Sequence, residues 1–321
     1  MKYILIGAVL LVGIGYGAAK FYLHSKVSDG VETGIQILAP YAAIEYGGIS
    51  STITGELTID DIRVQVNGFR DEFDIGSLGI DTSSFLELLE LSDFTGGIQS
   101  TEKQPPKRFG LIVENIRFPV TADFYKALYE SNIKALAPDD IRQRGVQCVG
   151  KYGHSPKALK GLGYQEFNLS TWINFRQEPE EFYLEFNADV ADMFSLKSIV
   201  EFQGDLLSSV VTGFGYRPKM SSLNMELLDQ SLNARIKKYC TELGLTAAQI
   251  TAAHINALQY FGSTNGILFD DYVVEPYKRF LDGKPTLIVT AKPREPLDLA
   301  DISKYKPSDV PALLNLEAAA Q

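Results

Sequence analysis

The chain has 321 residues, of which 45% are hydrophobic, and its formal net charge is −10. A hydrophobic content of this size supports a substantial folded core. The acidic balance argues against a nucleic-acid-binding protein, because such proteins neutralise phosphates with Lys and Arg side chains.

Residues 3–19 form an unbroken run of apolar residues and Gly between Lys2 and Lys20. At about 1.5 Å per residue, a helix of this length nearly crosses a hydrocarbon core of about 30 Å. We interpret residues 1–26 as an uncleaved transmembrane anchor with its flank. The alternative is a cleaved secretory signal, and both interpretations export the rest of the chain. Gly13 and Gly17 form one GxxxG motif, which would let two such helices pack closely.

Residues 27–46 have apolar side chains at near-helical spacing, which predicts a helix with a kink at Pro40. Residues 49–66 alternate instead, which predicts strands with a β-bulge at the pair Asp60-Asp61. The segments 57–66 and 111–120 match in register, 54 residues apart. The match indicates either a repeated strand unit or a chance similarity between β-strands.

Residues 164–190 have the clearest hairpin pattern in the chain, with a turn around Pro179. One face is polar and the other is apolar, which is typical of a sheet with one wet and one dry side. The apolar face is either a groove that contacts a lipid or a partner, or core covered by helices predicted over 230–281; we favour the covered core. The candidate ligand-facing residues are Phe167, Leu169, Ile173, Phe175, Phe182, Leu184 and Phe186.

The remaining pattern predicts an α+β fold, in which antiparallel sheets, possibly two related units, follow the transmembrane helix and the other helices are segregated from the strands. Helices are predicted over 230–243, 246–261 (capped by Thr246) and 267–281, and a strand over 286–291. The predicted division is an anchor (1–26), a first helix and sheet unit (27–108), a second α+β unit (109–291) and an extended, Pro-rich tail (292–321).

The chain has two cysteines, Cys148 and Cys240. Export to an oxidising compartment favours a disulfide between them over two buried thiols.

Residues with catalytic or metal-binding spacing are scarce. Cys148 and His154 lack a partner pair at zinc-ligand spacing, and adjacent aspartates such as Asp60-Asp61 project apart on a strand or helix. No phosphate-binding or dinucleotide-binding glycine motif occurs. The sequence therefore predicts no catalytic residue, no metal ligand and no cofactor.

The start of the body resembles bacterial inner-membrane-anchored periplasmic proteins of the AsmA-like kind, and other envelope proteins of unassigned function are similar over the C-terminal half. The matching residues are Ile49-Ser50-Ser51, the run 55–59 and Asp61-Ile62-Arg63-Val64. The resemblance implies a curved β-groove associated with lipid handling, on a single-pass protein of the bacterial inner membrane with its bulk in the periplasm.

Together these features predict a membrane-tethered, non-catalytic periplasmic protein that acts in envelope lipid homeostasis or binds a hydrophobic ligand. One alternative is a scaffold or accessory subunit of a secretion or pilus complex, which would use its edge strands to dock a protein partner. The other is a periplasmic hydrolase whose site is assembled from distant residues.

Overall fold

The computed structural model describes residues 2–94, 107–134, 148–149, 154–204 and 218–321. Side chains are described from Tyr16 onward within these ranges, except at 92–94 and 132–134. Most of the predicted anchor, including Gly13, therefore lies outside the described side chains.

The chain begins with one continuous helix, α1 (Lys2–Leu38). The prediction of a helix through residue 46 is wrong, because Ala42–Glu45 forms the first strand, β1. Pro40 has no backbone N–H and disfavours a helical conformation at the residue before it. The helix consequently ends at this proline rather than kinking there.

Within the described ranges, twelve strands form one antiparallel sheet, and its main path follows the chain order. Strands β1 and β2 pair with one edge of β3, and β11 extends the edge that β10 forms on β9. This confirms an α+β fold with a large antiparallel sheet. The strands after β1 are β2 (Gly48–Ser51), β3 (Glu56–Val66), β4 (Glu72–Thr82), β5 (Arg108–Pro119), β6 (Glu166–Gln177), β7 (Glu181–Val190), β8 (Phe194–Gln203), β9 (Lys219–Asp229), β10 (Thr286–Ala291), β11 (Leu297–Asp298) and β12 (Leu316–Ala320).

The sheet continues across both predicted boundaries. Strands β4 and β5 pair directly through Leu78 and Val113, so the two predicted sheet units share one sheet. Residues 292–321 do not form an extended tail, since β12 pairs with β10 from Leu287↔Ala320 onward. Leu316 packs into a buried cluster, which explains why this segment folds back onto the sheet edge.

The β-bulge predicted at Asp60-Asp61 does not appear as a register shift, because β3 keeps the same register with β4 on both sides of Asp61 (Asp60↔Ser77 and Ile62↔Ile75). The break in alternation instead coincides with a left-handed residue. Asp61 has φ 54°, and Asn115, which aligns with it in the 54-residue match, has φ 55°. Asp and Asn tolerate this left-handed conformation better than other residues with a side chain. Gly76 lies between Asp61 and Asn115, where an added Cβ would come within 3.1 Å of Asn115 Cβ. The matched segments therefore make equivalent bends two strands apart.

The predicted C-terminal helices are present, and their N-terminal caps explain where they begin. Thr246 and Gln249 form a capping box at the start of α6 (Ala247–Thr264). The Asp270 carboxylate accepts a hydrogen bond from Tyr272 N (3.2 Å) at the start of α7 (Asp271–Leu281). The helices after α1 are α2 (Phe85–Phe94), α3 (Asp123–Lys134), α4 (Pro156–Gly161), α5 (Leu232–Glu242), α6 (Ala247–Thr264), α7 (Asp271–Leu281) and α8 (Val310–Leu313), with a 3-10 helix over Leu299–Lys304.

Candidate functional site

One face of the sheet is apolar along the whole strand order. Residues that pair directly across antiparallel strands lie on the same face. Starting from β4, one such row runs through Ile80, Leu111, Ile173, Phe186, Ser198, Met225 and Val289. The alternation predicted for one hairpin therefore extends over at least seven strands.

The helices cover this apolar face mainly at the two ends of the strands. At one end, the α5–α6 cluster contains Val190, Ile236, Cys240 and Ile250, with Phe167 and Leu169 packed against it. At the other end, the α1–α2 cluster contains Leu23, Leu57, Phe85 and Leu88. The α8 cluster, which contains Met220, Ala291, Val310 and Leu314, lies at this second end on the far strands.

Between these clusters, four large aliphatic side chains on neighbouring strands remain open to solvent. Leu78 on β4 is 40% exposed, Leu111 on β5 41%, Ile173 on β6 37% and Leu184 on β7 37%. We call these four residues the open belt. With strands about 4.8 Å apart, the belt extends about 14 Å across the sheet.

The candidate residues predicted from the hairpin divide between the belt and the covered ends. Ile173 and Leu184 are in the belt, and Phe186 is half-buried beside Ile173. Phe175 and Phe182 are only 3% exposed, while Phe167 and Leu169 pack against the α5–α6 cluster. The face is thus covered at its ends and open in its middle.

Two belt residues, Leu78 and Leu111, were absent from the predicted site. Both occupy alternating apolar positions on their strands, so period-two alternation is a signal that places them on the apolar face. Their adjacency to Ile173 depends on the pairing of β4, β5 and β6, which connects residues about 100 positions apart. A single hairpin pattern cannot supply that information.

Aromatic rings line the belt on the side of the buried phenylalanines. Phe109, Phe175, Phe182 and Phe202 follow one another across β5 to β8, with ring centroids 5.5, 5.9 and 4.8 Å apart. Such contacts stabilise the sheet beyond the burial of area alone. They give the open belt a rigid apolar wall.

The charged side chains of these strands lie on the opposite face. There Arg108 Nη2 is 3.2 Å from Asp81 Oδ2, Lys197 Nζ is 3.8 Å from Glu185 Oε1, and the Arg176 guanidinium lies over the Tyr183 ring. The belt therefore offers dispersion and hydrophobic contact to a ligand, and little electrostatic recognition.

The most perturbed titratable groups are away from the belt, between α6 and α7. Burial lowers the pKa of His254 to about 4 and raises the pKa of Tyr277 to about 12. The Tyr277 hydroxyl lies 3.4 Å from His254 Nδ1. Both groups are neutral at pH 7 and belong to the packing of the helices. Among the described residues, no group of three His, Cys, Asp or Glu side chains could hold a metal ion.

The predicted disulfide is confirmed. Cys148 and Cys240 are bonded, with Cα atoms 5.7 Å apart, and both residues are fully buried in the α5–α6 cluster. The bond attaches the segment around Cys148 to α5, at the covered end of the sheet.

Two predictions concern the N-terminal helix. In the part of the chain that the structure describes, no helix is both long and apolar enough to cross a membrane. The side chains of residues 3–15 lie outside that part. An added Cβ on Gly17 would meet nothing within 4 Å, so this face of α1 is unoccupied by the rest of the described chain.

The C-terminal part of the chain is similar to a protein family. The model of a family described as "Uncharacterized protein" matches residues 180–321, which extend from the turn before β7 to the end of the chain. No curated protein matches the chain. The class that the fold itself defines is an α+β protein with an open, meandering antiparallel sheet.

Proposed function

We propose that this is a membrane-tethered, non-catalytic periplasmic protein that binds the acyl chain of a lipid, or a similar elongated apolar ligand, on the open belt. The observation that carries the proposal is the exposure of four adjacent aliphatic side chains between clusters that bury their neighbours. Exposed contiguous apolar surface of this kind commonly marks a binding site.

The shape and chemistry of the belt favour a chain-like ligand. Its floor crosses several strands over about 14 Å, and helices and aromatic rings flank it on both sides. Because the charged side chains of these strands lie on the opposite face of the sheet, the belt suits hydrocarbon better than a polar headgroup.

The proposed compartment and tether rest on two further features. The Cys148–Cys240 disulfide suits an oxidising compartment such as the periplasm. The apolar run 3–19 suits a single membrane span. The resemblance of residues 49–64 to AsmA-like proteins agrees with a role in envelope lipid homeostasis and stays a prediction.

The experiment is native mass spectrometry of the full chain after gentle detergent extraction. We expect bound lipid on the wild-type protein and at least about tenfold less on a Leu111→Glu, Leu184→Glu double variant. The reason is that removing water from a carboxylate to place it against hydrocarbon costs free energy. Both side chains are already exposed, so this variant should fold, which its urea midpoint will verify.

The matched control is Leu243→Glu, which changes an equally exposed leucine outside the belt. Lipid should remain bound to this control. Absence of lipid from the wild-type protein, or equal lipid on the belt variant, overturns the proposal.

A second candidate function is a scaffold that docks a protein partner by strand addition. It is favoured by β12, which pairs only with β10 among the described strands and so has one side without a strand partner. Crosslinking in intact cells separates the two candidates: a stoichiometric protein adduct through β12 supports the scaffold, and a lipid adduct through the belt supports lipid binding.

A further inference from the structure

The middle of α1, from Lys20 to Ser28, is attached along the edge of the sheet. Lys20 Nζ donates to the Ser51 carbonyl (2.9 Å), and His24 Nε2 lies 2.9 Å from Ser51 Oγ. Further along, Ser28 Oγ lies 3.4 Å from the Tyr46 hydroxyl. The helix therefore runs antiparallel to β2 and β1, and its N-terminal end points beyond the strand end that holds Ser51.

Helix α2 packs against the last part of the apolar run. The Tyr16 ring lies 5.0 Å from the Phe85 ring, and Tyr16 and Ala19 both contact the α1–α2 cluster around Leu88. Tyr16 and Ala19 belong to the run 3–19 that the proposed tether places in the bilayer. Tyr16 is about 4.5 Å along the helix from the end of that run, so the first turn of α2 lies at interfacial depth.

Large apolar side chains point outward at this corner of the molecule. Phe21 on α1 is 78% exposed, Ile53 in the turn between β2 and β3 is 74% exposed, and Leu86 on α2 is 69% exposed. We call these three residues the α1–α2 corner. The neighbouring Glu87 carboxylate is engaged by its own helix terminus, where it accepts from Ser83 N (3.0 Å).

We propose that the α1–α2 corner is a membrane-contacting surface that inserts into the lipid interface beside the tether. The proposal rests on the membrane tether of the proposed function. Its partner is a lipid surface, because the corner is continuous with the apolar run and presents Phe, Ile and Leu at the depth where that run ends.

The contact brings the open belt close to the bilayer. Leu78 pairs with Ile59, and Ile59 pairs with Ile49 on β2. Ile49 is two residues from Ser51, so Leu78 lies about 7 Å along the strands from the level where Lys20 contacts the sheet. An acyl chain leaving the bilayer at the corner reaches the belt over this short distance.

The test is quenching of tryptophan fluorescence by brominated lipids, using the full chain reconstituted into phosphatidylcholine vesicles. Trp172, the only tryptophan, is replaced (Trp172→Phe), and a new one is introduced by Leu86→Trp. We expect a blue-shifted emission that bromines near the glycerol level reduce by about half, as befits a side chain buried about 5–10 Å into the interface. Ile53→Trp should behave in the same way.

Leu243→Trp is the matched control, because it lies at the end of α5 over the other end of the strands and is also an exposed leucine. Its emission should be unaffected by brominated lipid. If Leu86→Trp and Ile53→Trp are no more quenched than Leu243→Trp in vesicle-bound protein, the membrane-contacting surface is overturned. Protein that fails to float with the vesicles overturns the surface together with the tether. If Leu86→Trp is quenched in vesicles but the wild-type protein carries no co-purified lipid in native mass spectrometry, only the proposal that the belt binds lipid is overturned.

Discussion

The ends of the strands and the middle of the same apolar face have the same sequence pattern and different surroundings. At one end, Val190 and Met193 are buried under helices and next to a disulfide. In the middle, Leu111 and Leu184 remain more than one-third exposed. The alternation along a strand predicts which face is apolar, and the packing of the helices determines how much of that face is buried.

If the open belt binds a ligand as proposed, this difference separates stability from binding within one sheet. Side chains at the covered ends contribute buried area and close packing, so their truncation destabilises the fold. Side chains in the open belt contribute less to folding and remain available to a ligand. Mutations in the two regions should therefore have different signatures.

The largest expected effect tests the covered end through its crosslink. Replacing both cysteines (Cys148→Ser with Cys240→Ser) should destabilise the protein by about 4 kcal/mol, because the bond closes a loop of 92 residues in the unfolded chain. Urea unfolding monitored by circular dichroism measures this loss. The wild type in dithiothreitol should shift similarly, whereas the double variant should not respond to the reductant. A shift below about 1 kcal/mol would show that the crosslink is incidental to the covered end.

The same substitution made in both regions tests the comparison most directly. Leu159→Ala removes a buried side chain of the α5–α6 cluster and should cost about 3 kcal/mol, whereas Leu184→Ala in the belt should cost less than about 1 kcal/mol. Lipid content should show the reverse order, with the larger loss in Leu184→Ala. Equal destabilisation would mean that the belt is covered core, as the sequence had favoured.

The smallest of these effects concerns the helical layer and depends on pH. The pKa of His254 is about 4 in the folded protein because the ring is buried, against 6.5 in the unfolded chain. Between pH 4 and pH 6.5, His254 binds a proton more readily in the unfolded chain than in the folded protein. Its contribution to the free energy of unfolding is therefore complete above pH 6.5 and is lost as the pH falls toward 4. The loss should reach about 2 kcal/mol at pH 5.

Urea midpoints measured from pH 7 to pH 5 test this expectation. The control is His254→Gln, whose stability should change less over the same range. His154, whose pKa burial also lowers, gives both proteins a residual slope of the same sign. Identical slopes in the two proteins would contradict a buried, neutral His254.

Local signals in the sequence predicted several elements accurately. The hairpin 164–190, the strand 286–291 and the cap at Thr246 follow from alternation and capping chemistry, which act over a few residues. The break in alternation at Asp60-Asp61 marks a residue with positive φ, although β3 keeps its register with β4 there. These features depend on neighbours in the chain, so the chain reveals them.

Errors arose where a short pattern was compatible with two structures. Residues 42–45 read as the end of a helix because their apolar positions suit either period, and pairing with β3 made them a strand. The proline-rich residues 292–321 read as extended, yet Leu316 and its neighbours found a partner in β10. In each case a strand distant in sequence provided the deciding hydrogen bonds.

The amino-acid order alone indicated an apolar leader, an acidic body, alternating strands and one pair of cysteines for a disulfide. Periodicity and composition can be read from a short stretch of sequence, because they do not depend on where that stretch lies in the fold. The open belt was decided by tertiary structure, since it requires four strands to pair in register while helices from three parts of the chain cover the ends. Solvent exposure is a property of that packing, because the same leucine is core under a helix and exposed surface beside one.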